Sequence, residues 1–468
     1  MNPSSIDNNS MNTFKAAFSG PVITPGNAEY EHARRVWNHM IDRRPAVIAQ
    51  CRTPSDVAAA IGFARENGLV IAVRGGGHNV AGYAVCDDGL VIDMSLMREV
   101  TVDPESRRAR VAAGARWADV DRATQPHGLA TPGGEVSETG VAGLTLGGGV
   151  GYLRRKYGMS SDNLLSVGLV TADGHTLTAS ANQNQDLFWA LRGGGGNFGV
   201  VTAFEFQLHP VGPEVYSVNP FYPLDQAEWL FRTWRAFTAE APDEASTAFA
   251  IWSIPTHPDI PAHLHGTDAC LLDGMYSGPP EGGEALFRTM RDLDGKLLDF
   301  SGRATYLEAQ QAFDAFLPEG GLYYWKSLFM DRISDEALHT IVSMSAKRPS
   351  PGILVIIRHL GGAIERVAPD ATAVRNRAAQ YMLSIDGGWT DPAESTDNIA
   401  WIRHFWEEMR PFSNGGVYMN FPGFAEDEGD PWPTSHGSNY QRLAEVKRKY
   451  DPTNLFRMNQ NIRPAEGP

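Results

Sequence analysis

The chain has 468 residues, 42% of them hydrophobic and 20% charged, which is ample for more than one buried core and excludes a disordered or fibrous chain. A formal net charge of −15 excludes nucleic acid as the main partner, since phosphate binding needs a basic surface. Three scattered cysteines (Cys51, Cys86, Cys270), a polar N-terminal stretch and no run of roughly 18 apolar residues exclude a disulfide framework, a signal peptide and a membrane span, and point to a soluble cytoplasmic protein.

From the N-terminus, "PAVIAQC" reads as a buried strand and "TPSDVAAAIGFARENG" as a helix capped by Thr53 or Ser55 and stopped by a glycine. "LVIAVR" is a strand again, giving a β-α-β start. It runs into "RGGGHNVAG", residues 74–82. Three glycines in a row cost backbone entropy and offer nothing to pack. They make sense where successive backbone N–H groups must approach a ligand, and His78 is then held against whatever the turn grips. Next come two hairpins, "VTVDPESRRARVAAG" and "LVTADGHTLTAS", the second turning at Asp173–Gly174. "DLFWALRG" is helical, and "VVTAFEFQL" alternates so that Phe204, Phe206 and Leu208 share one face. Glycine clusters at 75–77, 147–149 and 193–196 all lie in this first part of the chain.

After "HPVGPEV" the texture changes to longer helices ("DQAEWLFRTWRAFTAEA", "ISDEALHTIVSMSAKR") between apolar strands ("STAFAIWSI", "GILVIIRHL", "QYMLSI"). This predicts a second α+β domain, a sheet with helices on one side. In "LVIIRHL" the strand period sends Arg358 and His359 to opposite faces, so one of the two looks into any cleft. "GGVYMNF" reads as a short strand with Tyr418 and Asn420 on the same face. The tail, "NYQRLAEVKRKYDPTNLFRMNQNI", is a basic amphipathic helix, an Asp-Pro break and a short mixed segment.

Several chemistries lack their motifs. Gly194, Gly196 and Gly199 have the spacing of a dinucleotide fingerprint, but a helix precedes them and a strand follows, the reverse of the required order. His257, His263, His265, Asp268 and Cys270 surround two prolines at spacings that fit no common metal template, so no metal is expected. There is no G-x-S-x-G elbow and no Walker loop.

What remains is an ordered set: "RGGGH", "TPGGEVSETGVAGLTLGGGVGYL", "GGGGNFGVVT" and "YDPTNLFRMNQNI". Together these resemble the berberine-bridge-enzyme-like branch of the vanillyl-alcohol-oxidase flavoprotein superfamily, densely over 44–210 and 411–463. The resemblance implies an α+β, two-domain FAD-binding fold of the PCMH type. Residues 20–212, completed by 438–468, would bind FAD. Residues 213–437 would form a substrate domain with an antiparallel sheet. It implies FAD bonded covalently through His78, with Arg74, Gly75, Gly76, Gly77, Asn79, Gly82, Gly134, Thr139, Gly140, Gly143, Gly148, Gly149, Gly151, Tyr152, Val200, Asn459 and Asn461 around the cofactor. Many members carry a second tether, a cysteine; the matching position here is Val136, so a single link is expected. Thr139 matches a position governing oxygen access, where a small residue favours an oxidase. Tyr418 matches a base near the flavin, with Asn420 beside it. The carboxylate or glutamine of some relatives is replaced by Ser384.

The reading is an FAD oxidase that takes two electrons from a C–O or C–N bond of a small substrate and gives them to dioxygen as peroxide. Its competitors are a dehydrogenase using another acceptor and a non-catalytic flavin-binding protein. The aromatic segments favour a flat or apolar substrate. A monomer or homodimer is expected, with no nucleic-acid or membrane partner.

Overall fold

A computed structural model describes residues 6–424 and 432–467. The β-α-β start is built on the helix Pro54–Glu66, and Thr53 is its cap. The Thr53 hydroxyl accepts from the Asp56 amide (3.2 Å) while the Asp56 carboxylate accepts from the Thr53 amide (3.0 Å). The helix returns the chain so that Ile71–Arg74 runs parallel to Val47–Gln50, with Leu90–Asp93 between them and pairing with both. The short strand Val22–Ile23 closes this first sheet on the outer edge of Val47–Gln50.

The second sheet is antiparallel, in the order Val100–Asp103, Arg108–Ala112, Val200–Gln207, Leu164–Val170, Thr176–Ser180. Both predicted hairpins are in it, and Gly174 turns the second with φ of +88°. Phe204, Phe206 and Leu208 point into the core beneath it.

The third sheet is the large one. Seven strands run Leu298–Asp299, Pro220–Pro223, Asp268–Tyr276, Ala245–Ser253, Ile353–His359, Tyr381–Trp389, Leu322–Met330; Glu214–Val218 also pairs with Asp268–Tyr276, and Gly302–Thr305 pairs with Glu214–Val218. All neighbours in it are antiparallel. Strand alternation gives it two different faces. Phe249, Ile251, Val355, Ile357, Leu383 and Ile385 pack under the helices Ala227–Thr238, Asp335–Ser345 and Ser395–Met409. Ala248, Ala250, Trp252, Leu354 and Ile356 lie on the other face, toward the first two sheets.

The tail helix Asn439–Tyr450 crosses back to the first half, where Leu443, Phe456 and Ile462 join the core with Trp189 and Phe198. Inside that junction Lys447 is fully buried. Its ammonium donates to Asp451 (2.6 Å) and to the carbonyls of Asn197 (2.7 Å) and Phe456 (2.9 Å). Asp451 in turn accepts from the amides of Leu455 and Phe456.

One expectation is corrected here. "GGVYMNF" is a turn, not a strand: the Phe421 amide donates to the Tyr418 carbonyl (2.9 Å). Gly415 ahead of it takes φ of +84° and Pro422 follows, so the segment cannot sustain a ladder. The Tyr418 amide donates instead to the Ser327 hydroxyl (3.0 Å). His257 lies against Phe316 and His265 meets the Ile260 carbonyl, as parts of a loop. The three cysteines are free and buried.

Candidate active site

A cavity of about 650 Å³ lies between the inner face of the large sheet and the glycine-rich loops of the first half. That is within the usual range of roughly 300–1,000 Å³ for small-molecule and cofactor sites. Gly75, Gly76, Gly77, His78 and Asn79 line it from one loop, Gly134, Thr139, Gly140 and Gly143 from the next, Gly195 and Gly196 from the third, and Met458, Asn459 and Gln460 from the tail. Three glycine clusters far apart in sequence thus share one space. The first two loops touch through backbone: a Cβ on Gly76 would sit 2.4 Å from the Gly140 Cα.

His78 ends the first loop. Its Nε2 is buried with no hydrogen-bond partner, and burial pushes the imidazole down to about 3, so the ring is neutral at pH 7. The indole of Trp37 stacks on it, with ring centroids 3.8 Å apart.

Tyr418 and Asn420 come together although the backbone between them turns. The Asn420 amide nitrogen donates to the Tyr418 hydroxyl (2.9 Å), and so does the Val150 backbone N–H (3.1 Å). That second donor is aimed by Gly148 and Gly149, whose φ values of +108° and +85° turn the chain beneath the phenol. Burial nevertheless dominates and raises the phenol to about 12, against these donors and the charge of Arg358.

Of the strand pair, Arg358 lines the cavity and His359 faces the helices. His359 meets Arg155 (3.0 Å), and burial with the arginine charges pushes it down to about 2. Arg358 donates to Glu135 (2.9 Å) and to the Ser384 hydroxyl (3.1 Å), and Ser384 donates to Asp386 (2.6 Å). Glu135 and Asp386 both line the cavity, and burial raises Asp386 to about 6. Sequence reasoning passed over both carboxylates. Asp386 was within reach, because it stands two residues after Ser384 on the same strand and so on the same face.

Other residues named from the sequence lie off this cavity. Arg74 pairs with Asp93 (2.7 Å) and lines a second, adjoining cavity. Gly82 closes a turn on Asn79 and packs against Ile41. Gly151 packs on the Gly133 carbonyl, Val200 pairs with Val170 inside the second sheet, and the Tyr152 hydroxyl sits between the oxygens of Asp273. Asn461 has a buried, unpartnered Oδ1 close to the tail residues that line the cavity. The helix "NIAWIRHFWEEM" packs on the far side of the sheet, whereas Tyr323 and Trp325 of "LYYWKSLF" reach the cavity with Trp252, Phe316 and Trp389.

These features suit a flavin dinucleotide. A Cβ on Gly143 or Gly196 would meet nothing within 4 Å, so the backbone there is bare toward the open space. His78 Nε2, Asn459 Oδ1 and Asn461 Oδ1 are buried polar atoms with no partner of their own.

Comparison with known proteins agrees. Residues 45–180 match the family described as FAD binding domain, and 417–463 match the family described as berberine and berberine like. An uncharacterized FAD-linked oxidoreductase of Bacillus subtilis is 31% identical over 462 residues, spanning 96% of this chain and 98% of the relative. The (R)-6-hydroxynicotine oxidase of Paenarthrobacter nicotinovorans is 29% identical over 463 residues, spanning 96% and 97%. The crystal structure of 6-hydroxy-D-nicotine oxidase from Arthrobacter nicotinovorans superposes with a TM-score of 0.84 at 28% identity, covering 96% of this chain and 98% of that one. BBE-like 1 of Physcomitrella patens shares the fold, with a TM-score of 0.87 over 98% of this chain and all of its own. Full-length similarity, two matching family domains and a cavity that suits the cofactor make this chain a member of the berberine-bridge-enzyme-like FAD-linked oxidoreductases.

Proposed function

We propose that the protein is an oxidase whose FAD is tethered once, through His78, and which oxidises a C–O or C–N bond of a small, flat or apolar substrate. The observation that carries this reading is that Tyr418, held by two N–H donors, and the unpartnered His78 border one cavity with an aromatic far wall. FAD, when bound, supplies the two-electron acceptor and passes the electrons to dioxygen as peroxide.

The chain's residues do the rest. The glycine loops and the tail asparagines would hold the cofactor, in a half made of residues 20–212 and 438–468. Residues 213–437 would cover it and shape the substrate space. Trp252, Trp325, Trp389 and Phe421 offer flat apolar surface for the substrate body. Tyr418, as the phenolate, takes the proton from the substrate hydroxyl or amine, and its two N–H donors stabilise the charge that the phenolate carries before the transfer. Arg358, fixed by Glu135 and Ser384, adds positive charge on the same side. Val136 carries no sulfur for a second link, and Thr139 leaves room for dioxygen.

The test is a substrate screen on the purified yellow protein in air, reading peroxide. Peroxide formed in step with oxygen uptake is expected. Turnover with a dye and no peroxide would replace the oxidase with a dehydrogenase, and flavin that no compound reduces would make the protein a carrier. Acid precipitation should leave the pellet yellow, with one flavin-bearing tryptic peptide, the one containing His78.

A further inference from the structure

His78 stands at the end of a triglycine turn, a mobile place from which to form a bond. The structure compensates with a stack of three rings. Trp37 lies on the imidazole at 3.8 Å and 20°, and Tyr323 lies on the other face of Trp37 at 3.8 Å and 11°. Each ring is pinned. The Trp37 amide donates to the Gly77 carbonyl (3.1 Å), and its indole N–H to the Leu317 carbonyl (3.2 Å). The Tyr323 hydroxyl donates to the Pro318 carbonyl (2.6 Å). The Asn38 side chain takes the Tyr323 amide and donates to the carbonyls of Tyr323 and Val80. Trp37 and Tyr323 are 5% and 3% exposed, so neither ring has solvent to swing into. No hydrogen bond holds Nε2, so the ring's orientation rests on the stack.

We infer that Trp37, backed by Tyr323, is a positioning residue for the attachment of FAD to His78: the stack fixes the plane of the imidazole from which the bond forms. The inference rests on the proposed tether. The unprotonated nitrogen of the neutral imidazole forms the bond to the carbon of the ring methyl; that carbon loses one proton and the other ring nitrogen the second. The two electrons released enter the bound FAD, and dioxygen takes both electrons and two protons as hydrogen peroxide. Nothing in the step uses Trp37 chemically. Its contribution is orientation, where a misplacement of about 1 Å can cost on the order of 10²-fold in rate. Because Tyr323 belongs to the large sheet, attachment would also require that sheet to be seated on the first half.

The experiment follows flavin attachment rather than turnover. Full-length wild type, Trp37→Phe, Trp37→Leu and Tyr323→Leu are purified, incubated with excess FAD in air and sampled into acid over time. Pellet-bound flavin measures attachment, and FAD carried through gel filtration before acid measures the fold. Wild type and Trp37→Phe should attach completely. Trp37→Leu should still carry FAD yet attach roughly 10²-fold more slowly, and Tyr323→Leu should fall between. A colourless wild-type pellet would overturn the tether itself. A yellow wild type with Trp37→Leu attaching at the same rate, or Trp37→Phe as slow as Trp37→Leu, would overturn the role of the stack alone. If Trp37→Leu does not fold, Tyr323→Leu decides: unslowed attachment there sinks the inference, and slowed attachment beside a normal Trp37→Phe supports it.

Discussion

The phenolic oxygen of Tyr418 receives N–H donors from Val150 and Asn420 in a pocket that removes it from water, so two opposite effects act on one proton. Burial wins and holds the phenol near 12, which leaves little phenolate at neutral pH. If Tyr418 is the base, the rate of anaerobic flavin reduction should climb with pH throughout the range the enzyme tolerates, about tenfold per unit, without reaching a plateau. Tyr418→Phe should lose roughly 10²–10⁴-fold in that rate, keep its flavin and flatten the pH profile. Stopped-flow reduction from pH 6 to 10 reads both. Asp121 presents a simpler case away from the cavity. Burial raises its carboxyl to about 7, and its partner is a Gln310 amide at 3.4 Å. A carboxyl raised above its unfolded value costs stability once pH exceeds the unfolded pKa, and the cost grows until pH passes the folded one. Asp121→Asn should therefore be the more stable protein at pH 8, by on the order of 2 kcal/mol, with the gap closing as pH falls toward 4. The amide so introduced also brings a donor for Gln310 Oε1, which is buried without a partner. Urea denaturation at three pH values measures the gap.

Among the elements, the tail helix Asn439–Tyr450 has the most at stake in a single side chain. Lys447 joins the helix to the loop at Asn197 and to the strand-less segment at Phe456, the segment that goes on to line the cavity. Lys447→Met keeps the length and leaves the Asp451 carboxylate buried without its cation, an arrangement that typically costs about 3–5 kcal/mol. The variant should denature at lower urea and, with the His78 link absent (His78→Ala background), should release FAD faster on dilution. The sequence made this helix plain through its periodicity, as it did the helix behind Thr53 and both hairpins. It misled at Tyr418, where alternation suggested a strand but the flanking glycines and Pro422 deny the segment a ladder. It left Arg358 and His359 undecided for a definite reason: alternation says that two neighbours face apart, and only tertiary packing says which face carries the helices. Glu135 escaped because its meaning comes through a partner distant in the chain, Arg358, whereas Asp386 stood within reach of Ser384, two residues before it. The stack of Trp37 on His78 joins residues from separate segments, and no local pattern announces it.

At the scale of the whole molecule the two halves are pinned by more than the cavity. Arg377, 1% exposed, reaches across to Asp162 with two bonds of 2.6 and 2.7 Å, and Asn38 binds the edge of the large sheet. A ligand bound only to the folded state stabilises it by mass action, by about 2.7 kcal/mol at a hundredfold excess over Kd. A tethered cofactor cannot respond to its own free concentration. The melting temperature of His78→Ala should thus rise by a few degrees with added FAD, while that of the wild type stays fixed; dye-monitored melts across an FAD series decide it. The crossing of the tail has a further consequence, for synthesis. His78 is translated 382 residues before Gln460, which lines the same cavity. At roughly 5–20 residues per second, the nascent chain spends about 20–75 s with His78 translated and the tail side of the cavity unfinished. The cavity is therefore walled only after Gln460 has been made, and a chain cut before Met458 should purify with less flavin than the full-length protein, as absorbance of the two would show.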